Sequence, residues 1–260
     1  MSRSNPEEDV NLVNPAKFFL EWKGKDGGFE YWDKVAKKNV DMPLPFTFIP
    51  LCTCITLKGY NQKKDIGYWS NEIRDIQKDK LTVKGKNNNT KSIETHFEGL
   101  YKDLKEQLEL NKINYVQSVY IAYKAKGGEL QLANIQIKTS ALGPWINFCK
   151  KNNINECGVT VKSFTNEKNG SVDFVAPVYT AVKISEETNK QAIELDKELQ
   201  EYLKAYLERN QTSTEAVKQE NKAEDTHEEK TKQEPHKYPD APEKDIVDFN
   251  IEDDGSDMPF

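Results

Sequence analysis

Residues 115–137 read YVQSVYIAYKAKGGELQLANIQI, and this stretch sets the fold class. Val116, Val119 and Ile121 lie in a run of β-branched and aromatic residues. Leu130 to Ile137 is a second such run, and Lys126-Gly127-Gly128-Glu129 between them is a tight-turn signal. The pattern predicts strand, turn, strand: a β-hairpin in mid-chain.

The same grammar repeats on both sides. Upstream, Phe18, Phe19, Leu20 and Trp22 are separated from Phe29, Tyr31 and Trp32 by Lys25-Asp26-Gly27-Gly28, a hairpin with a glycine turn. Phe46 to Lys58 is a β-branched run in which Pro43, Pro45 and Pro50 restrict it to strand starts, edges or bulges. Tyr68 to Ile76 and Leu81 to Lys84 are expected as further strands. Downstream, Gly158 to Phe164 and Val172 to Val182 flank Asn169-Gly170. Helical periodicity occurs at three places. Thr95 and Glu98 have capping-box spacing ahead of the face Phe97, Leu100, Tyr101, Leu104 and Leu108, predicting one helix there. Ser140 to Lys151 reads as a short helix and Glu186 to Arg209 as a longer one, capped by Ser185. A mainly β chain with strands of uneven length, inserted helices and no βαβ alternation suits an OB-type Greek-key barrel. An immunoglobulin-like sandwich is the competitor, although a helix in mid-sequence is foreign to it.

Charge divides the chain. Overall, 37 Lys and Arg stand against 43 Asp and Glu. Residues 210–260 alone hold 6 basic and 15 acidic residues, whereas residues 14–185 hold 26 basic and 18 acidic, a net of +8. An acidic whole thus conceals a basic domain, which suits an anionic partner touching one surface. The expected organisation is a leader at 1–13, a β domain at 14–185, a helix at 186–209 and a disordered acidic tail at 210–260, too poor in aliphatic residues to offset its ordering entropy. No run is apolar enough to span a membrane, and Met1 to Val10 has no signal-peptide core, so a cytoplasmic location is expected. Cys52, Cys54, Cys149 and Cys157 form neither a disulfide framework nor a CxxC knuckle and read as packing residues. The helix at 186–209, with Ile193, Leu199, Tyr202, Leu203 and Tyr206, could dock on its own domain or on a second copy, making a homodimer.

Catalytic patterns are sparse. His96 is the one histidine of the domain, and HExxH, GxSxG, Walker A and GxGxxG patterns do not occur. Glu72 and Asp75 alternate with Asn71 and Arg74, which reads as a solvated, ion-paired face rather than a two-metal site. No cofactor is expected. What recurs is a cation beside an aromatic ring: Trp22-Lys23, Lys58-Gly59-Tyr60, Lys63 and Lys64 ahead of Tyr68-Trp69, then Arg74, Lys84 and Lys86. Unpaired nucleic acid requires both, because cations track phosphates while rings stack on exposed bases. Phe18, Phe46 and Phe48 read as core, whereas Trp22, Tyr60 and Trp69, set beside charges or glycines, suit stacking as well as packing.

Several of these segments, taken in order, resemble a known family. The run from Asn14 to Gly24, Pro43-Leu44-Pro45-Phe46, Lys58-Gly59-Tyr60, Trp69-Ser70-Asn71-Glu72 and the acidic segment Asp253 to Phe260 are similar to the single-stranded DNA-binding proteins of large tailed bacteriophages, the crAss-like group in particular. The resemblance implies an OB-type barrel that coats DNA exposed in replication, recombination and repair, and an acidic tip that recruits replication and repair proteins. Here Asp253, Asp254, Asp257, Met258, Pro259 and Phe260 are the tip candidates, with Gly255-Ser256 interrupting the acidic run. Clustered carboxylates ending on an aromatic suit capture by a basic pocket, and equally suit competition for a groove that binds phosphates. The expectation is a non-enzymatic, sequence-independent single-stranded DNA-binding protein in which Trp22, Tyr60 and Trp69 stack and Lys23, Lys58, Lys63, Lys64, Arg74, Lys84 and Lys86 meet phosphates. The rivals are a replication adaptor without strong DNA affinity and a carboxylate-metal nuclease.

Overall fold

Alternation of apolar and polar residues carries close to half of the described residues into strands. The computed structural model describes residues 12–125 and 127–220. Over them the order is β1 (Phe19–Trp22), β2 (Phe29–Asp33), β3 (Lys38–Met42), β4 (Phe46–Asn61), β5 (Ile66–Ser70), β6 (Leu81–Asn87), β7 (Ile93–Gly99), α1 (Tyr101–Leu110), β8 (Ile113–Lys124), β9 (Leu130–Ile137), α2 (Leu142–Lys151), β10 (Gly158–Asn169), β11 (Val172–Val182) and α3 (Glu186–Glu220). The leader up to residue 11, the turn residue Lys126 and the acidic tip from Asp253 to Phe260 lie outside the described residues. No described helix is long and apolar enough to cross a membrane.

The strands form one mixed sheet in the order β3-β2-β1-β9-β8-β4-β5-β6-β7, with β10 added to the start of β4 and β11 to β10. Only β1 and β9 run parallel among these pairs. The expected closed Greek-key barrel is not formed by strand pairing: among the described residues no ladder joins the ends of the sheet, and it is open. Curvature nevertheless brings the β1–β2 turn against β11, where the Val175 amide donates to the Gly24 carbonyl at 2.7 Å and the Trp22 indole to the Val175 carbonyl at 3.0 Å. That turn needs Gly27 and Gly28, whose φ angles of 76° and 85° disfavour side-chain-bearing residues.

Strand β4 organises the sheet. Its first residues, Phe46 to Phe48, pair with β10, and its last, Lys58 to Asn61, pair with β5, while β8 follows it along most of its length. Pro50 has no N–H to give, and the register shifts between Pro50 and Cys52, so the strand absorbs the proline as a bulge. Odd-numbered β8 residues face inward. Val119 and Ile121 join Leu20, Phe29, Phe48 and Ile135 in a core closed by Trp145 and Phe148 of α2, and Ile113 joins Leu57, Leu81 and Val83 under Leu104 and Leu108 of α1. Even-numbered residues face the other way, and there α3 lays Leu199 and Leu203 on Cys54, Tyr120 and Leu132. The apolar face of α3 thus docks on its own sheet.

Three elements differ from the sequence expectations or went unforeseen in them. The segment 93–99 is strand β7 rather than the start of a helix: its ladder to β6 outweighs the local capping-box spacing of Thr95 and Glu98, and α1 begins after Leu100, which makes no side-chain cap. Strand β3 was not anticipated: its apolar alternation is confined to Val40 and Met42, and the edge of β2 supplies its ladder. Helix α3 runs to Glu220, beyond Arg209, since residues 210–220 contain neither Gly nor Pro to stop it. Its start is as expected, with the Ser185 hydroxyl accepting the Thr188 amide at 3.2 Å.

Candidate nucleic-acid interface

Helix α3 covers one half of the outer sheet face and leaves the other half open. The open half is a groove of about 770 Å³ lined by Phe19, Lys58, Tyr60, Trp69, Lys86, Asn114, Gln136 and Lys138, among others. Register explains why these side chains converge. Lys58 pairs with Trp69 and Trp69 with Lys84, so the three stand side by side on one face of β4, β5 and β6. Two residues along, Tyr60 pairs with Gly67 and Gly67 with Lys86. Nothing lies within 4 Å of where a Gly67 side chain would begin, so the second row has an open place between ring and cation. Tyr60 and Trp69 are diagonal neighbours on adjacent strands, a spacing of about 7–8 Å that admits a flat base between two rings. Tyr60 is 46% exposed, and its hydroxyl donates to Asp65 at 2.5 Å, which tethers the ring at the groove.

A polar floor underlies this surface. The Glu21 carboxylate lies 2.8 Å from the Lys138 ammonium and 3.4 Å from that of Lys58, and Lys58 also donates to Gln136. Burial lowers the pKa of Lys58, partly offset by Glu21. Burial pushes the Glu21 carboxyl up, but Lys138 and Lys58 together outweigh it and hold it below the ordinary carboxylate value. Glu72 marks the border with α3. It accepts hydrogen bonds from Ser118 and, at 2.7 Å, from the Tyr120 hydroxyl, while its own amide donates to the Tyr206 hydroxyl at 3.0 Å. Its burial raises the carboxyl pKa, against the lowering effect of those two hydroxyl donors.

Lys58, Tyr60, Trp69, Lys84 and Lys86 are therefore brought together. The other sequence candidates lie elsewhere. Trp22 shares the parity of Leu20, and its ring meets Phe29 edge-on at 5.1 Å and Phe164 at 6.3 Å, with its indole N–H already donated; it packs against the core. Lys23 pairs with Asp41 at 2.7 Å on the β1–β2 side. Lys63 and Lys64 occupy the β4–β5 turn, where Lys64 reaches the Asn111 side chain at 3.0 Å. Arg74 is directed to Gln200 of α3 at 2.8 Å. Among the groove residues that escaped the sequence reading are an aromatic and a cation. Phe19 was grouped with the apolar run, and Lys138 was passed over as the residue after a strand. Alternation puts Phe19 and Glu21 on the face opposite Leu20 and gives Lys138 the parity of Asn134 and Gln136, but it is the pairing of β1 with β9 and of β8 with β4 that sets that face beside Lys58.

Among the described residues no cluster of three His, Cys, Asp or Glu side chains could hold a metal ion. Asp75 is engaged locally, accepting from the Gln77 amide at 2.9 Å and pairing with Lys78 at 3.1 Å. Compared with known proteins, the chain matches no family model, no curated protein and no solved structure.

Proposed function

We propose that this protein is a non-enzymatic, sequence-independent single-stranded DNA-binding protein that coats strands exposed in replication, recombination and repair. The observation that carries the reading is the pair of cross-strand rows, Lys58-Trp69-Lys84 and Tyr60-Gly67-Lys86, on the uncovered half of the sheet. Rings there are sequence-tolerant, since every base has a π face, and the lysines on either side of them are placed for phosphates. The reading agrees with the resemblance to the phage proteins and their OB-type design. An open sheet whose β1–β2 turn meets β11, with cores closed by α1 and α2, is the comparable feature here, and the acidic tip is assigned the recruitment of replication and repair partners in the host cytoplasm.

Tryptophan fluorescence titrated with oligo-dT tests the proposal. Quenching with sub-micromolar affinity at about 50 mM salt is expected for single strands and not for duplex, because only unpaired bases can enter between Tyr60 and Trp69. Affinity should fall with salt by a log–log slope of about 0.7 per phosphate contacted, and Lys84→Gln with Lys86→Gln should reduce that slope by about 1.4. No binding at that salt, or equal response to duplex, would return the β domain to the role of a protein-binding adaptor.

The acidic tip adds a second expectation. Removing Glu252 to Phe260 takes away Glu252, Asp253, Asp254 and Asp257 and is expected to tighten oligonucleotide binding a few-fold at low salt, with the difference vanishing at high salt as the tail's attraction to the lysines is screened. Equal affinity of both forms at low salt would refute the competition.

A further inference from the structure

We propose that Lys58 and Lys138 form a phosphate subsite on the groove floor, and that the carboxylate of Glu21 occupies it in the free protein. The inference rests on the single-strand reading above and deepens it. The three side chains come from β4, the residue following β9, and β1, and the sheet brings them together: Glu21 pairs with Gln136, whose amide oxygen Lys58 also holds. Two ammonium groups converge on one carboxylate, which leaves the cluster with a net positive charge. The side chains are 33%, 28% and 37% exposed for Lys58, Lys138 and Glu21, so the cluster is open to an incoming group.

A phosphodiester offers what the carboxylate offers: one negative charge spread over two free oxygens. Exchange is therefore one anion for another, with both lysines remaining paired throughout. The contact to Lys58, at 3.4 Å, is the looser of the two and the side from which a phosphate would enter, since Lys58 stands in the row with Trp69. Beyond Glu21 the same face is acidic in sum: Glu21 pairs with Glu30, and Glu30 with Asp41, and of these three carboxylates Asp41 is countered by Lys23 at 2.7 Å. That row repels phosphates and bounds the track, so a strand lying over Trp69 is turned along β4 and β9 instead of across β2 and β3.

The consequence is a measurable brake on affinity. Displacing the protein's own anion means that this contact releases no net counterion, whereas an unguarded lysine pair would. Glu21→Gln is expected to bind oligo-dT roughly 3- to 10-fold tighter at about 50 mM salt, with a log–log salt slope steeper by about 0.7. Free Glu21→Gln should also melt at a lower temperature than wild type, because two partly buried ammonium groups lose their counter-charge, and saturating oligo-dT should close that gap as phosphate takes over. Lys138→Gln, which keeps the pairing of Glu21 with Lys58 but removes the cluster's surplus positive charge, is the second variant: it should bind oligo-dT more weakly at about 50 mM salt with little change in slope, because the exchange at this contact already releases no net counterion in the wild type. Unchanged or weaker binding by Glu21→Gln with an unaltered slope, or a melting gap that persists with DNA, would overturn the subsite while leaving the single-strand reading intact. Should the wild type fail to bind any oligonucleotide, both fall.

Discussion

Trp69→Ala is expected to weaken oligo-dT binding by about 1–3 kcal/mol, roughly 5- to 150-fold, with little change in melting temperature. Trp22→Ala is expected to do the reverse. Trp69 stands between Lys58 and Lys84 on the open outer face, and in the proposed function its ring is the stacking platform. Trp22 is wedged between Phe29 and Phe164 with its indole N–H bonded to Val175, so truncating it leaves a cavity and an unpaired carbonyl where the β1–β2 turn meets β11. A cost of about 3 kcal/mol follows, or some 6–12 °C in Tm for a domain of this size, while affinity of the folded protein for DNA should be retained. Measuring Tm and oligonucleotide affinity on both variants checks the assignment. Loss of affinity in Trp22→Ala at full stability, or none in Trp69→Ala, would move the interface to the other side of the sheet.

Gly59→Ala is expected to cost about 3 kcal/mol and to lower Tm by roughly 6–12 °C. A methyl group on Gly59 would lie 2.4 Å from the Lys112 carbonyl oxygen and 2.6 Å from the Ile113 Cα, both backbone atoms that cannot swing aside. Relief requires β4 and β8 to separate at the point that carries Lys58 and Tyr60, so oligonucleotide affinity should fall together with stability. Gly67→Ala is the contrast. It meets nothing within 4 Å and should leave Tm within about 2 °C, because a strand interior tolerates alanine at least as well as glycine. Its effect should appear in binding, through the space it closes between Tyr60 and Lys86. Thermal melts of the two variants side by side decide whether close strand approach, rather than glycine content as such, supports the groove.

How much of this was legible in advance depended on the range of the interaction that decides each element. The hairpin at 115–137 follows from local alternation and a Gly-Gly turn, and so do the β1–β2 and β10–β11 hairpins and the Ser185 cap of α3. Segment 93–99 does not: its capping-box spacing is a local signal overruled by a ladder to β6. Strand β3 carries only the two-residue alternation of Val40 and Met42 and is recruited by its neighbour. Among candidate site residues, Lys58, Tyr60, Trp69, Lys84 and Lys86 were recognisable as residue types, and the register of three antiparallel strands placed them in adjoining rows. Lys23 and Arg74 were chosen on the same grounds, yet Asp41 and Gln200 claim them.

The sequence by itself determined a mainly β chain, the division between a basic domain and an acidic tail, and the pairing of rings with cations, because hydrophobic alternation, turn chemistry and charge counts are local or additive quantities. Only the tertiary structure decided that the sheet stays open, that α3 covers one half of its outer face, and that Phe19 and Lys138 line the groove beside Trp69, with Glu21 paired to Lys138 and Lys58, while Trp22 packs against the core. Those outcomes depend on which strands become neighbours and in what register, and a shift of one residue would send every side chain to the opposite face.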